Sequence, residues 1–399
     1  LFVVINGHLL VIAALVDSSG GVTTTATITG TGTVELLTAF TELTTLTATD
    51  NSGGVTATVD DSAVTVDGGS GADDITYTAA LAADAAVTLG EGDDTFTIAA
   101  ASLAGATVDA GDGTDTLGVT DGAFLDADAA DIYSNFETLE IGGGTGTYDM
   151  DNLPGLTAVT AGAALAAAAT IDNAVADTTV TVNADASTDL DLINDLTYVL
   201  ADAAGTSDAL SLTLNGADGD DDATAEGQIT VQTLTADDIE SFDIVSNIAD
   251  IDPDLANTDY THEITSLEGD SVETLNVSGS ANLDILALVT PVLSKIDATD
   301  MTGALTVDAG ASTTTSGVEF IGGAGDDEYT GTANGDTVAG NGGADTIALD
   351  GTFASVDTLI LNAATDSLLN ADVDGHDIVT DFGTAAGAGA LDVIDVGAF

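Results

Sequence analysis

The chain contains no cysteine and no tryptophan, only three prolines, and a single basic residue, Lys295, among 399. Without cysteine the fold cannot lean on disulfides, and neither thiolate catalysis nor a structural zinc site built on sulfur is open to it. The near-absence of positive charge is as informative. One basic side chain faces 68 Asp and Glu, for a formal charge of −67. Phosphate is gripped mainly by Lys and Arg, so nucleic acid is excluded as a partner. A field of this sign also repels anionic membranes and draws cations. Acidity alone leaves two explanations standing, a solvated acidic surface or specific cation binding. Pro154, Pro253 and Pro291 are so few that strand interiors are seldom interrupted.

What is present argues for a packed protein. Apolar residues make up 44% of the chain, with Val, Ile and Leu throughout, which is too much for a disordered polymer. Thr, Val and Ile fill the segments between clusters of Gly, Asn and Asp, as strands joined by tight turns require. The opening "LFVVINGHLLVIAALVDSSGG" is the most apolar stretch. Interrupted by Asn6 and His8, it is too short for a secure membrane span, and it lacks a basic leader region. A buried strand pair is expected there; the alternative is a strand lent to a neighbouring subunit. The stretches 161–177 and 190–202 leave helix and strand both open, because alanine favours the one and the surroundings the other.

Two repeats organise the chain. Residues 322–348 read as three nonapeptides, GGAGDDEYT, GTANGDTVA and GNGGADTIA, placing Asp327, Asp336 and Asp345 nine apart. A second set, "GGSGADDIT", "LGEGDDTFT" and "AGDGTDTLG", steps by 21 through Asp73, Asp94 and Asp115. Gly71, Gly92 and Gly113 keep that step, as do Val66, Val87 and Val108. A looser phrase recurs as "FETLEI", "IESFDI" and "VETLNV", with an echo in "GVEFIGG", and its alternation argues half-buried strands. The expected architecture is all-β, a parallel β-solenoid or β-roll. Four segments are expected: an N-terminal β segment over 1–62, a roll over 63–120, a strand-repeat region with acidic inserts (215–227 and 249–259) over 121–315, and a second roll with the C-terminal segment over 316–399.

Each nonapeptide has the form G-G-x-G-x-D-x-U-x, with U apolar. Glycines let the backbone turn so that carbonyls stand beside the Asp carboxylate, and U starts a short core strand: Ile75, Phe96, Leu117, Tyr329, Val338 and Ile347. One turn offers half a coordination shell, and the next coil, stacked about 4.8 Å away, offers the rest. Hard oxygens in flexible geometry suit Ca2+ better than Mg2+. The residues expected to build these cation turns are Gly69, Gly71, Asp73, Gly90, Gly92, Asp94, Gly111, Gly113, Asp115, Gly323, Gly325, Asp327, Asn334, Asp336, Asn341, Gly343 and Asp345. Asp73, Asp94 and Asp115 are expected in one column holding two ions. Asp327 and Asp345 are expected on one edge with Asp336 opposite. The copies opening with Leu89 and Ala110, and the copy disturbed by Thr332, Ala333 and Asn334, depart most from the pattern, and "GGGTGTYDM" at 142–150 has Tyr148 in place of Asp.

The motif resembles that of the RTX family of secreted calcium-binding repeat proteins. The closing "HDIVTDFGTAAGAGALDVIDVGAF" resembles the end of serralysin-type members, through Asp377, Ile378, Asp381 and Phe382, then Asp392, Ile394, Asp395, Ala398 and Phe399. Val396 and Gly397 depart from the usual Leu-Ser. The middle, 136–320, is similar in style to RTX surface-layer proteins. The resemblance implies several bound Ca2+ ions, type I secretion and an extracellular or cell-surface location. It also implies self-assembly as a homo-oligomeric lattice or filament, with lipopolysaccharide or glycan as the anchor.

Serralysin-like proteases carry H-E-x-x-H, which His8, His262 and His376 are too far apart to form. "THEITSLEG" lacks the second histidine, and His262 beside Glu263 is expected to be a surface pair. No G-x-S-x-G elbow occurs. A non-enzymatic building block is therefore expected. The alternative is a calcium-dependent adhesin or carbohydrate-binding module, disfavoured by six Tyr, ten Phe and no Trp.

Overall fold

The computed structural model describes residues 2–5, 10–12, 25–36, 43–59, 65–125, 129–142, 146–162, 165, 167–184, 190–217, 227–248, 260–349, 355–361, 377–381 and 392–395. The chain is nearly all β and its strand pairings are parallel, as a β-solenoid requires. Contacts divide it into two units, Leu1–Ala161 and Gly162–Phe399. The segment limits expected at 62, 120 and 315 fall inside sheets that continue across them: Thr45↔Thr65, Thr116↔Thr138 and Lys295↔Glu319 are register partners.

In the first unit successive strands alternate between two sheets. One runs from Phe2–Ile5 through Thr25–Gly30, Thr45–Asn51, Thr65–Asp67, Ala86–Glu91 and Thr107–Asp112 to Tyr133–Ser134. The other starts at Leu10–Ile12 and includes Val55–Val59, Asp74–Tyr77, Thr95–Ile98, Thr116–Val119 and Thr138–Ile141. Each rung is thus two short strands and two turns. Alternation puts every second residue inside, where like stacks on like. Ile75, Phe96, Leu117 and Leu139 form one buried column, and Val66, Val87 and Val108 another. Phe96 sits between Tyr77 and Tyr133, with ring centroids 5.5 and 6.4 Å apart. The two opening strands are present, and they pair not with each other but with Thr25–Gly30 and Val34–Leu36, in different sheets.

The second unit follows the same plan with rungs of uneven length, from 33 residues between Phe242 and Leu275 to 18 between Phe320 and Val338. Phe242, Leu275, Ile296, Phe320, Val338 and Leu359 stack in one column. Three of the four strand phrases therefore lie on neighbouring or next-but-one rungs of one sheet. The two stretches whose character was open are strands: Ala169–Ala174 in the first, Leu190–Ile193 and Leu196–Leu200 in the second. Alanine's helical propensity, a few tenths of a kcal/mol per residue, yields there to the pairing of Ile171 and Tyr198 in a shared core. Much of both acidic inserts, together with His8, His376, Phe382, Ala398 and Phe399, lies outside the described residues.

Candidate metal centre

The turns bring the predicted aspartates into vertical columns, and a hydrogen-bond ladder runs down each. In the first unit Asp73 Oδ1 accepts from the Val55 N–H (2.6 Å), Asp94 Oδ1 from the Asp73 N–H (2.7 Å) and Asp115 Oδ1 from the Asp94 N–H (2.8 Å). Every carboxylate therefore lies in the gap between its own rung and the one before it. The reason is local: the Asp ends the turn, and the apolar residue two places on anchors its strand inside. Asp73, Asp94 and Asp115 are each no more than 2% exposed.

The second unit holds two ladders on opposite sides. Leu305, Asp327 and Asp345 donate in turn to Asp327, Asp345 and Asp377 (2.8, 2.9 and 3.1 Å). Val318, Asp336 and Asp357 donate to Asp336, Asp357 and Asp392 (2.8, 2.8 and 3.0 Å). Asp327 and Asp345 share a column and Asp336 belongs to the other.

Several ladder members escaped sequence reasoning. Asp357 was not singled out, and Asp377 and Asp392 drew notice only for a likeness to a closing segment. Their separations from the previous rung, 32 and 35 residues, hide the period. Glu137 takes the ladder position below Asp115, whose N–H donates to its Oε2 (2.9 Å), and Glu240 accepts likewise from Asp208 (2.8 Å). The signal was available. "DTL" at 115–117 and "ETL" at 137–139 are one phrase with the acid a methylene longer, so the strand repeat and the aspartate repeat occupy the same place in the coil.

Glycine is required in these turns by crowding. A Cβ at Gly68, Gly322, Gly331 or Gly340 would run into a carboxylate oxygen of the following ladder aspartate. Gly111 and Gly113 pass so close to the carbonyls of Gly90 and Gly92 that no side chain would fit. Asn334 and Asn341 face the preceding turn, donating to the carbonyls of Thr314 (2.7 Å) and Gly322 (2.8 Å).

Burial costs a carboxylate its charge unless something compensates. Desolvation pushes Asp94 up to about 7, helped by repulsion from Asp73 and Asp115. Asp345 is likewise pushed to about 7, first by burial and then by Asp327 and Asp377. Asp327 reaches about 6, because backbone donors at Leu305 and Gly323 offset part of its desolvation. Asp73, Asp115 and Asp336 are raised from the same leading cause. Asp94 Oδ2, Asp115 Oδ2 and Asp345 Oδ2 are buried with no hydrogen-bond partner. A buried, unpaired carboxylate oxygen demands either a proton or a cation. Among the described residues no three Asp, Glu or His side chains converge as a metal cage. Any cation held here would thus take one or two carboxylate oxygens and complete its shell from turn carbonyls. Such a donor set is all hard oxygen, in keeping with Ca2+.

The expectation for His262 is overturned. It is fully buried, its Nδ1 accepts from the Ile229 N–H (3.0 Å), and its Nε2 donates to the Asn247 carbonyl (2.9 Å). Glu263 points the other way and accepts from Thr265 (2.6 Å). The strand Thr261–Glu268 alternates, and His262 is in phase with Ile264 on the inner face. Burial lowers its proton affinity, so it is neutral and structural. His262→Leu strands the Ile229 N–H and the Asn247 carbonyl in the core. Urea unfolding in calcium is expected to show about 2–4 kcal/mol of lost stability, with the slope unchanged.

Compared with known proteins, the chain matches no family model and no curated protein.

Proposed function

We propose that this is a structural, self-assembling extracellular protein, a surface-layer or filament subunit whose folding depends on Ca2+ held in its stacked turns. The observation that carries the calcium dependence is the set of buried carboxylate oxygens without a partner, repeated at Asp94, Asp115 and Asp345. In a chain of charge −67, columns of ionised aspartates would drive the rungs apart. A divalent ion supplies the missing positive charge and binds only the folded form. The resemblance of the repeats to RTX proteins supports the same ion and an exported location, since millimolar calcium is an extracellular condition.

Assembly is supported by the sheet edges. Among the described residues, Ile378–Thr380 and Val393–Asp395 pair on one side only, with Thr346–Ala348 and Thr358–Ile360. Ile378, Val393 and Ile394 are 50, 46 and 44% exposed. Parallel strands open on one edge and bearing exposed apolar side chains favour continuation of the sheet by a further strand, which a second copy can supply. The adhesin alternative draws less support. A groove of about 410 Å3 on the second unit is lined by Asp243, Asn276, Ser278, Asp297, Thr299 and Asp300 with three aliphatic residues, and offers no aromatic platform to a sugar.

Negative-stain microscopy of purified protein dialysed into millimolar calcium is expected to show ordered sheets or fibres that disperse in EGTA. Monodisperse particles that bind glycans would sink the assembly reading in favour of the adhesin.

A further inference from the structure

The six motif turns are of two kinds. In the first, the ladder aspartate closes its own turn: Asp73 Oδ2 accepts from the Gly69 N–H (2.9 Å), Asp327 Oδ2 from the Gly323 N–H (2.7 Å) and Asp336 Oδ2 from the Thr332 N–H (2.7 Å). Asp336 takes two more hydrogen bonds, from the Thr332 hydroxyl (2.8 Å) and the Tyr329 hydroxyl (3.1 Å). Both oxygens of these three carboxylates are occupied by donors of the chain itself.

In the second kind the corresponding residues are Gly90, Gly111 and Asn341, and all three have positive φ, 121°, 105° and 66°. Gly69, Gly323 and Thr332 do not share that conformation. The change of backbone accompanies loss of the own-turn bond. Asp94, Asp115 and Asp345 keep only the ladder bond at Oδ1, and their Oδ2 atoms are the unpartnered ones. These side chains are no more than 1% exposed. Gly and Asn are the residues that enter the left-handed region at least cost, which suits them to the open form.

We infer that divalent cations bind selectively at the three open turns, of Asp94, Asp115 and Asp345, and that the turns of Asp73, Asp327 and Asp336 are closed by protein hydrogen bonds and hold none. This rests on the calcium reading above and divides its sites. Closed turns give the coil metal-independent corners from which loaded turns are built: Asp73 precedes Asp94 and Asp115 on one ladder, and Asp327 precedes Asp345 on another. The division does not follow motif quality, since the disturbed copy of Asp336 is closed and the copy of Asp345, which keeps its first glycine, is open. The copies beginning at Leu89 and Ala110 lack the first glycine, yet theirs are open turns, whereas the fuller copies at Gly68 and Gly322 are closed.

The test counts ions bound to the full chain by equilibrium dialysis against calcium, with circular dichroism to establish folding. Asp94→Asn, Asp115→Asn and Asp345→Asn each keep the ladder oxygen and are expected to lose one equivalent. Asp73→Asn, Asp327→Asn and Asp336→Asn are expected to retain the full count. Loss of an ion from any of the latter three, or a full count in any of the former, overturns the assignment. Where a substituted chain does not fold, crystals of the unsubstituted protein grown in calcium decide. Anomalous density is expected beside Asp94, Asp115 and Asp345 only, and density beside Asp73, Asp327 or Asp336 overturns it. A wild-type chain that binds no calcium would refute the underlying calcium reading rather than the division of its turns.

Discussion

Chelating calcium at pH 7.5 is expected to abolish most of the strand signal in circular dichroism, and restoring millimolar calcium to return it. The size of the effect follows from linkage. An ion at a hundred times its dissociation constant adds about 2.7 kcal/mol to the folded state, so three such ions add about 8 kcal/mol. Domains of this kind are held by only about 5–15 kcal/mol in total. The apo chain also keeps the repulsion between Asp94 and its neighbours Asp73 and Asp115, and between Asp345 and its neighbours Asp327 and Asp377. Few folds survive both losses. A strand spectrum and melting temperature indifferent to EGTA would show that hydrogen bonds and apolar packing alone hold the coil, and the function proposed above would fall.

The second large effect is an inverted pH profile in EGTA. Asp94 and Asp345 bind a proton up to about pH 7 when folded, and Asp327 up to about 6, against 3.8 for an ordinary aspartate, as in the unfolded chain. Between those limits the folded state holds more protons than the unfolded one, so stability falls as pH rises through the window. Protonation below it relieves the charge that calcium would otherwise neutralise. Apo protein is therefore expected to be folded near pH 5 and to melt progressively lower toward pH 7.5. His262 works the other way. Its proton affinity is lowered on folding, so its contribution is present above 6.5 and declines below. It is one group set against several carboxylates, and the aspartate slope is expected to prevail. Calcium should flatten the profile, and Asp94→Asn with Asp345→Asn should flatten it in EGTA as well. A melting temperature that rises from pH 5 to 7.5 without calcium would mean that the ladder carboxylates are not forced into low-dielectric surroundings.

The pH and chelation experiments probe one balance from two sides. A proton or a cation can each satisfy Asp94 Oδ2, Asp115 Oδ2 and Asp345 Oδ2, and the chain has almost nothing else to offer them. Its only Lys, Lys295, is engaged at the surface with Asp297 (2.8 Å). Exported into calcium near neutral pH, the chain would meet the condition under which its columns close. Without calcium at that pH the same columns would keep it unfolded.

How much of this was legible depended on the range of the interaction responsible. The all-β class, the parallel coil and the core columns are consequences of local rules repeated at a fixed step: glycine turn, acid, apolar residue. Those rules could be read from Val66, Val87 and Val108, or from Asp73, Asp94 and Asp115, because each rung obeys them within a few residues. Asp377 and Asp392 obey them too, but separations of 32 and 35 residues break the step, and only pairing with the neighbouring rung reveals their place. His262 was misjudged for a related reason. Its neighbour Glu263 suggested the surface, while the phase it shares with Ile264 set it inside, where Ile229 and Asn247 complete its hydrogen bonds. The sequence alone therefore determined that Asp73, Asp94 and Asp115 stack, and that Asp327 and Asp345 share a column. Which of them are left without a donor was decided by tertiary structure, since the N–H at residues 69, 323 and 332 meets the turn's own carboxylate, whereas residues 90, 111 and 341 take positive φ and leave it unmet.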